Sequence, residues 1–138
     1  MIFNVSYNNR KIKDEIIDRV GKPLSFREKL GGRYFGSQRL LIIGCSPDIE
    51  RLLRLDNNLD HCNIELRKRG IILRFRSILN TYGWVVPYDQ LSVNRHPEHY
   101  ELRSSTHFVK LRAAHFEPLR HGFFDKLSDL KHEHGRQP

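Results

Sequence analysis

Apolar residues near the start of the chain recur at the spacing of a helix. Ile12, Ile16 and Val20 would lie on one side of such a helix. Asn9 precedes them as a candidate N-terminal cap, and Gly21 follows them as a stop signal. The pattern therefore predicts a helix of about three turns that buries one apolar stripe.

Two strands and a second helix are also predicted in the N-terminal part. Met1–Tyr7 alternates between two faces, and Arg39–Cys45 is rich in Leu and Ile, so both segments read as strands, the second of them buried. Ser46 then supplies a cap, with Pro47 at the first helical position. This combination predicts a short helix directly after the buried strand.

The middle of the chain has a period of two instead. Ile64 and Leu66 alternate with charged residues, the same alternation resumes at Leu73, and residues 68–70 between the two runs predict a tight turn. The hairpin is followed by four more strand-like segments, Tyr82–Val86, Leu91–Arg95, Tyr100–Arg103 and Thr106–Leu111. Six short strands in succession, with no helix between them, predict an antiparallel meander.

A stripe of apolar residues predicts a helix near the C-terminus. Its members lie at helical spacing and are Phe116, Leu119, Phe123, Leu127 and Leu130. Glu117 and Pro118 fit the first turn of this helix, and residues 132–138 are predicted to be a frayed tail. Such a helix would cover the open face or one end of the meander.

Together these elements predict a single α+β domain over residues 1–138. Residues 60–131 are expected to form a bent antiparallel meander, shaped as a partly open barrel and capped by the C-terminal helix. Residues 1–59 are expected to be an N-terminal strand and helix addition. The chain length suits one domain and leaves little room for a second.

The charge of the chain admits several kinds of anionic partner. There are 24 Lys and Arg residues against 16 Asp and Glu, a formal charge of +8, and a pI near 9.8. Residues 61–112 are especially basic, with nine basic and four acidic side chains. A balance of this kind is compatible with nucleic acid, an anionic membrane surface or an acidic protein.

The cysteines and the termini indicate a cytoplasmic protein. Cys45 and Cys62 do not form a Cys-x-x-Cys pair, so two free thiols are favoured over a disulfide or a zinc knuckle. The N-terminus lacks the basic leader and apolar stretch of a secretory signal. The longest apolar run, residues 40–43, is too short for a transmembrane segment, and none is predicted.

The basic hairpin is the main candidate binding site. Arg67, Arg74 and Arg76 share one strand parity, so their guanidinium groups are expected to project together from the outer face, beside Lys68 and Arg69. Such a row would suit phosphate groups through charge-assisted hydrogen bonds. The alternative interpretation is a solvated sheet face on which the Arg stems cover apolar surface.

Three segments resemble the bacterial pleckstrin-homology-like (PH-like) family over residues of about 60–130. They are Ile64–Arg74, Trp84–Leu91 with its Val-Val-Pro-Tyr-Asp-Gln-Leu run, and Phe108–Leu111. The resemblance implies a curved sheet plugged by a terminal helix. Lys68 followed by Arg74-Phe75-Arg76 is also similar to the lysine and Arg-x-Arg pattern with which classical members hold phosphoinositide headgroups.

Motifs for catalysis, metals and cofactors are absent from the sequence. His96 and His99, His115 and His121, and His132 and His134 form pairs, and no pair has the third and fourth ligands of a stable zinc site. Cys45 follows a strand without a Gly-x-Ser-x-Gly elbow, and no paired-carboxylate motif stands out. We therefore expect a non-enzymatic protein without a cofactor or metal.

These observations predict a PH-like binding or assembly module that meets an anionic partner, such as a lipid headgroup, through its basic hairpin. One alternative is a nucleic-acid-binding protein that uses the same charges less selectively, with aromatic residues stacking on bases. Another is a homo-oligomeric scaffold built through the sheet edges, in which the charge serves only solubility.

Overall fold

The computed structural model describes residues 1–24, 36–55, 60–114 and 117–136 of the chain. Within these ranges there are eight strands: β1 Ile2–Asn4, β2 Leu40–Cys45, β3 His61–Leu66, β4 Gly70–Ser77, β5 Asn80–Pro87, β6 Ser92–Arg95, β7 Tyr100–Arg103 and β8 Phe108–Ala113. The helices of the same ranges are α1 Arg10–Val20, α2 Pro47–Arg54 and α3 His121–Arg136, with a 3₁₀ turn at Tyr88–Gln90. The predicted α+β class is confirmed.

All eight strands belong to one antiparallel sheet that does not close into a barrel. The strand order is β1-β5-β4-β3-β2-β8-β7-β6. The six strands after residue 60 are confirmed, but they form two three-stranded meanders rather than one. They are separated because β2 pairs with β3 on one side and with β8 on the other. Residues 40–45, predicted to belong to an addition, therefore lie at the centre of the sheet.

The inner face of the sheet carries the larger of two apolar cores. Alternate residues of the strands point into it, Trp84 is fully buried there, and α2 and α3 supply Ile49, Leu53, Phe123 and Leu127 from above. Because α2 and α3 both pack on this side, their apolar stripes are satisfied by the same sheet face.

The outer face of the sheet is covered by α1 over β1, β5 and β4. Ile16 and Val20 of α1 pack against Ile72 and Val85, which point away from the larger core. The predicted cap is confirmed, since Asn9 Oδ1 accepts hydrogen bonds from the backbone of α1 at 3.0 and 3.3 Å. With both faces covered, β4 contains the uninterrupted apolar run at residues 71–73 that a two-sided strand needs.

The C-terminal helix is confirmed, but its bounds differ from the prediction. It begins at His121, because the Gln38 side chain donates to the Pro118 carbonyl and accepts from the backbone N of Arg120, so this backbone does not start a helix. It also continues to Arg136, so the predicted tail is helical as far as that residue. Phe116, the first residue of the predicted stripe, lies outside the described residues.

Strand β4 runs between two ends of the sheet that are named here for later use. The hairpin end contains the β3–β4 connection at residues 67–69 and the C-terminus of α1, which are joined by a hydrogen bond from Arg69 N to Val20 O. The turn end contains the β4–β5 connection at Ile78 and Leu79. Several other segments also lie at the turn end, namely the starts of α1, β2 and β3, the last residues of α2 and the end of β8.

Candidate anion-binding surface

Arg67, the first residue of the predicted basic row, is buried inside the structure. Its guanidinium donates from Nε to Glu65 Oε2 at 2.9 Å and from Nη1 to the carbonyl oxygen of Gly21 at 2.8 Å. Only 7% of the residue is exposed. Its own carbonyl accepts a hydrogen bond from the Tyr88 hydroxyl at 2.5 Å. Arg67 therefore joins the hairpin to the end of α1 and to the 3₁₀ turn, and it does not project from the outer face as expected.

Arg74 is brought together with Arg67, and both guanidinium groups bind the same carboxylate. Arg74 Nη1 donates to Glu65 Oε1 at 2.7 Å. Partial burial acts to raise the pKa of Glu65, but the hydrogen bonds and charges of the two arginines outweigh it and hold that pKa below its ordinary value. The pair thus forms an internal charge network around a carboxylate that remains ionised.

Arg69 caps the C-terminus of α1. Its Nη2 donates to the carbonyl oxygen of Ile17 at 2.8 Å and is 3.5 Å from that of Asp18. The Ile17 carbonyl also accepts the hydrogen bond from the backbone N of Gly21 at 2.8 Å that ends the helix. Because the last carbonyl groups carry the negative end of the helix dipole, a guanidinium is favoured there as a second donor. Although Arg69 is exposed as a residue, its charge is already engaged.

Lys68 and Arg76 are the two members of the predicted site that remain as exposed cations. Lys68 lies at the tip of the hairpin end, next to the exposed Lys22. Arg76 lies near the other end of β4, directly opposite Thr81 of β5. The structure therefore does not bring these two together, and it divides the five residues of the predicted site into three internally bonded arginines and two separate exposed charges.

Arg76 instead belongs to a different row, which crosses the outer face at the turn end. The row consists of Arg76 on β4, His61 on β3, Leu41 on β2 and Arg112 on β8. Arg76 and Arg112 are exposed, and neither forms an ion pair within the described part of the chain. Three strand steps of about 4.8 Å place their backbones about 14 Å apart.

The same face carries further charges on β7 and β8, and these are partly balanced. Lys110 is paired across the strands with Glu101, which also binds Arg103 at 2.6 Å. The Arg103 guanidinium stacks over the Phe108 ring at 4.6 Å from its centroid. One carboxylate thus offsets only part of the charge of two cations here, whereas Arg76 and Arg112 have no ion-pair partner at all among the described residues.

The histidines are used in local contacts. His96 and His99 stack with ring centroids 4.4 Å apart, and His96 lies 3.7 Å from Glu101. His121 hydrogen bonds to the Tyr100 hydroxyl at 2.7 Å. Among the residues that the structure describes, no group of three or more His, Cys, Asp or Glu side chains is placed to hold a metal ion.

Both cysteines are free thiols, as predicted. Cys45 borders a cleft of about 530 Å³ between β2 and α2, together with Glu50 and Asp60. Burial, reinforced by these two carboxylates, raises the pKa of the Cys45 thiol to about 11. Burial also raises the pKa of Cys62. Both thiols are therefore protonated at neutral pH, whereas nucleophilic catalysis needs the thiolate.

Sequence reasoning missed the role of Glu65, although a signal was present. Glu65 has the same strand parity as Arg67, and across the β3–β4 pair it is a diagonal neighbour of Arg74. Alternation thus predicts that the carboxylate and both guanidinium groups share one face. A second missed feature, the exposed apolar pair at Ile78 and Leu79, was marked by two adjacent large apolar residues just before Asn80.

Comparison of the chain with protein-family models, with curated proteins and with solved structures found no match. None of the helices in the described ranges has both the length and the apolar character needed to cross a membrane.

Proposed function

We propose that the protein is a non-enzymatic binding module that holds an anionic partner on the outer face of its sheet, at the turn end. Arg76 and Arg112 provide the charge, with Leu41 and His61 between them. The partner carries phosphate or carboxylate groups, to which arginine presents several hydrogen-bond donors in a fixed geometry.

The observation that carries this proposal is the exposure of Arg76 and Arg112 and their lack of an ion pair in the described part of the chain. In this they differ from Arg67, Arg69 and Arg74, which are engaged internally. The outer face between Arg76 and Arg112 is not part of either apolar core, because α1 packs farther along on β4 and β5. An anion here would gain charge-assisted hydrogen bonds without breaking an existing ion pair.

A non-enzymatic role is supported by the chemistry of the groups near the cleft. The Cys45 thiol is protonated at neutral pH, and Glu50 beside it is bonded to Arg54 at 2.7 Å. A nucleophile activated by a base would require the opposite arrangement, with a lowered thiol pKa.

The resemblance to the PH-like family is kept as part of the proposal. Its support is the order of elements after residue 60, in which six antiparallel strands are followed by a helix packed on the inner face of the sheet. In this proposal, β2 extends the common arrangement by joining the two three-stranded meanders.

The test is binding to two unrelated polyanions over a salt series. Wild type is sedimented with vesicles of phosphatidylcholine and phosphatidylserine, and it is titrated separately into a labelled single-stranded oligonucleotide. We expect binding to at least one polyanion and its loss in Arg76→Glu/Arg112→Glu. The salt dependence should be steep because the contacts are ionic.

The matched control is Lys22→Glu/Lys68→Glu, which makes the same change in charge at the hairpin end. It should bind nearly as well as wild type. If the control loses binding and Arg76→Glu/Arg112→Glu keeps it, the site lies at the hairpin tip and the proposed surface is wrong. Failure of wild type to bind either polyanion at low salt would contradict the proposed function itself.

A further inference from the structure

The tip of the β4–β5 turn exposes two large aliphatic side chains. Ser77 and Asn80 still form a paired position of the ladder, so Ile78 and Leu79 alone make the turn and lie beyond its last rung. Leu79 is 83% exposed and Ile78 is 51% exposed. A turn tip is ordinarily made of small or polar residues, which suit both the backbone and the solvent.

The backbone conformation of Ile78 is unfavourable for an isoleucine. Its φ is +57°, and it is the one residue other than glycine with a positive φ among those that the structure describes. A β-branched side chain in that region is strained by about 1–3 kcal/mol. Glycine or asparagine would fold the same turn more easily, so folding of the turn does not account for isoleucine here.

Two more exposed apolar residues lie at the same end of the sheet. Tyr7 follows Ser6, whose hydroxyl is 3.3 Å from the side chain of Asn80. Leu55 follows α2, which is held to the base of the turn by a hydrogen bond from Ser77 Oγ to the carbonyl oxygen of Leu52. Among the described residues, four of the six exposed large apolar side chains therefore lie at the turn end, which exceeds the scattered exposure usual for a protein surface.

Exposed cations lie at the same end of the sheet. Arg76, Arg112 and Arg39 come from the sheet strands and their approach, and Arg10 and Lys11 from the start of α1. Among the described residues of the connections at this end, the acidic ones are Asp60 and Glu117. The described part of the turn end thus combines an exposed aliphatic pair with more cations than carboxylates.

We propose that the turn end docks on an anionic lipid bilayer, with Ile78 and Leu79 inserted below the headgroups and the arginines bound to lipid phosphates. The inference rests on the proposed function, because it takes the lipid surface as the anionic partner. Transfer of aliphatic side chains from water to the acyl region is favourable, and so is the approach of basic residues to anionic headgroups. An aromatic residue with a hydroxyl group, such as Tyr7, is favoured at the boundary between the two regions.

A bilayer fits these features better than a nucleic acid does. Bases bind by stacking on aromatic faces, and at the described turn end Tyr7 is the one exposed large aromatic side chain beside two aliphatic ones. The contacts of a nucleic acid would use the arginines and this single ring and leave Ile78 and Leu79 in water. A lipid surface takes up the exposed aliphatic pair and the cations at once.

The experiment measures binding of the full chain to vesicles of phosphatidylcholine with phosphatidylserine and to vesicles of phosphatidylcholine alone. Wild type should bind the anionic vesicles. The double substitution Ile78→Asn/Leu79→Asn should lower the partition coefficient about tenfold or more, because two aliphatic insertions are lost. Asparagine tolerates a positive φ, so this variant should fold, which thermal unfolding checks.

A second variant, Leu79→Trp, reports insertion directly. Its new indole should show a blue shift in fluorescence emission on anionic vesicles, while the buried Trp84 of wild type gives an unchanged spectrum. Leu79→Met serves as the matched control, because it changes the same exposed position but keeps an apolar side chain of similar size, and this variant should bind as wild type does.

The outcomes separate this inference from the proposed function. Oligonucleotide binding that depends on Arg76 and Arg112, without vesicle binding, would overturn the membrane inference and leave the proposed function standing. Absence of binding to both polyanions would remove both. Vesicle binding that is unchanged in the double asparagine variant overturns the inference, as does a lipid-free dimer of wild type that this variant converts to a monomer.

Discussion

The two ends of strand β4 invert the usual relation between residue type and exposure. At the hairpin end, Arg67 is buried and, like Arg69, bonded within the protein. At the turn end, Ile78 and Leu79 stand in solvent. The difference shows that a charged residue is available to a partner only if no internal group has already taken its hydrogen bonds.

The cause of the inversion is what lies opposite each end. The hairpin end meets the C-terminus of α1, where the negative end of the helix dipole favours a cation, and arginine side chains are long enough to reach the carbonyl oxygens of Ile17 and Gly21. The turn end extends past the last rung of the ladder. The arginines of the charged end therefore have a structural role, and the apolar end is the one that we propose meets a partner.

The largest expected effect is at the hairpin end, for Arg67→Met. Methionine keeps the apolar stem but leaves the Gly21 carbonyl without this donor and removes one of the two cations on Glu65. We expect a loss of about 2–3 kcal/mol in the free energy of unfolding, measured by urea denaturation. Arg76→Met, an exposed arginine on the same face, should change it by no more than about 0.5 kcal/mol. Equal effects of the two substitutions would contradict the comparison.

Gly70→Ala tests how closely the hairpin end is packed. A Cβ at Gly70 would lie 2.4 Å from both the Val20 side chain and the Val86 carbonyl oxygen. Since the second neighbour is backbone, the hairpin must shift, and we expect a loss of about 1–3 kcal/mol. Thermal unfolding of Gly36→Ala is the control, because no atom lies within 4 Å of its Cβ position. A neutral Gly70→Ala would show that the hairpin moves away from α1 easily.

At the turn end, by contrast, we expect a substitution that increases the free energy of unfolding. Ile78→Gly removes the strained φ of +57° and should raise the free energy of unfolding by about 1 kcal/mol while weakening vesicle binding. Leu79→Gly relieves no such strain and should lower stability slightly. Denaturation of both variants beside wild type checks the signs. Destabilisation by Ile78→Gly would mean that the isoleucine side chain contributes to folding.

The smallest expected effect is a change in the free energy of unfolding at acidic pH. The folded-state pKa of Glu65 lies below its ordinary value of 4.5, so its ion pairs stabilise the protein fully above that pH. Their contribution is lost as the pH falls through the lowered pKa. The difference in free energy of unfolding between wild type and Glu65→Gln should therefore shrink below a pH of about 4.5. A difference that is constant down to the acid transition would contradict an ionised, doubly bonded Glu65.

Much of the local structure follows from patterns in short stretches of the sequence. The Asn9 cap, the end of α1 at Gly21 and the β3–β4 hairpin depend on neighbours a few residues apart, and all are confirmed. The bounds of the C-terminal helix were wrong, because Gln38, distant in sequence, binds the backbone before it.

The sequence by itself determined the elements, the side of the sheet toward which each strand residue points, and the basic character of the chain. Only the tertiary structure decided that β2 enters the sheet between β3 and β8, because that pairing joins segments far apart in the chain. It also decided which arginines are available. Arg67 and Arg76 share one parity, and their fates differ because α1 ends over one of them and not over the other.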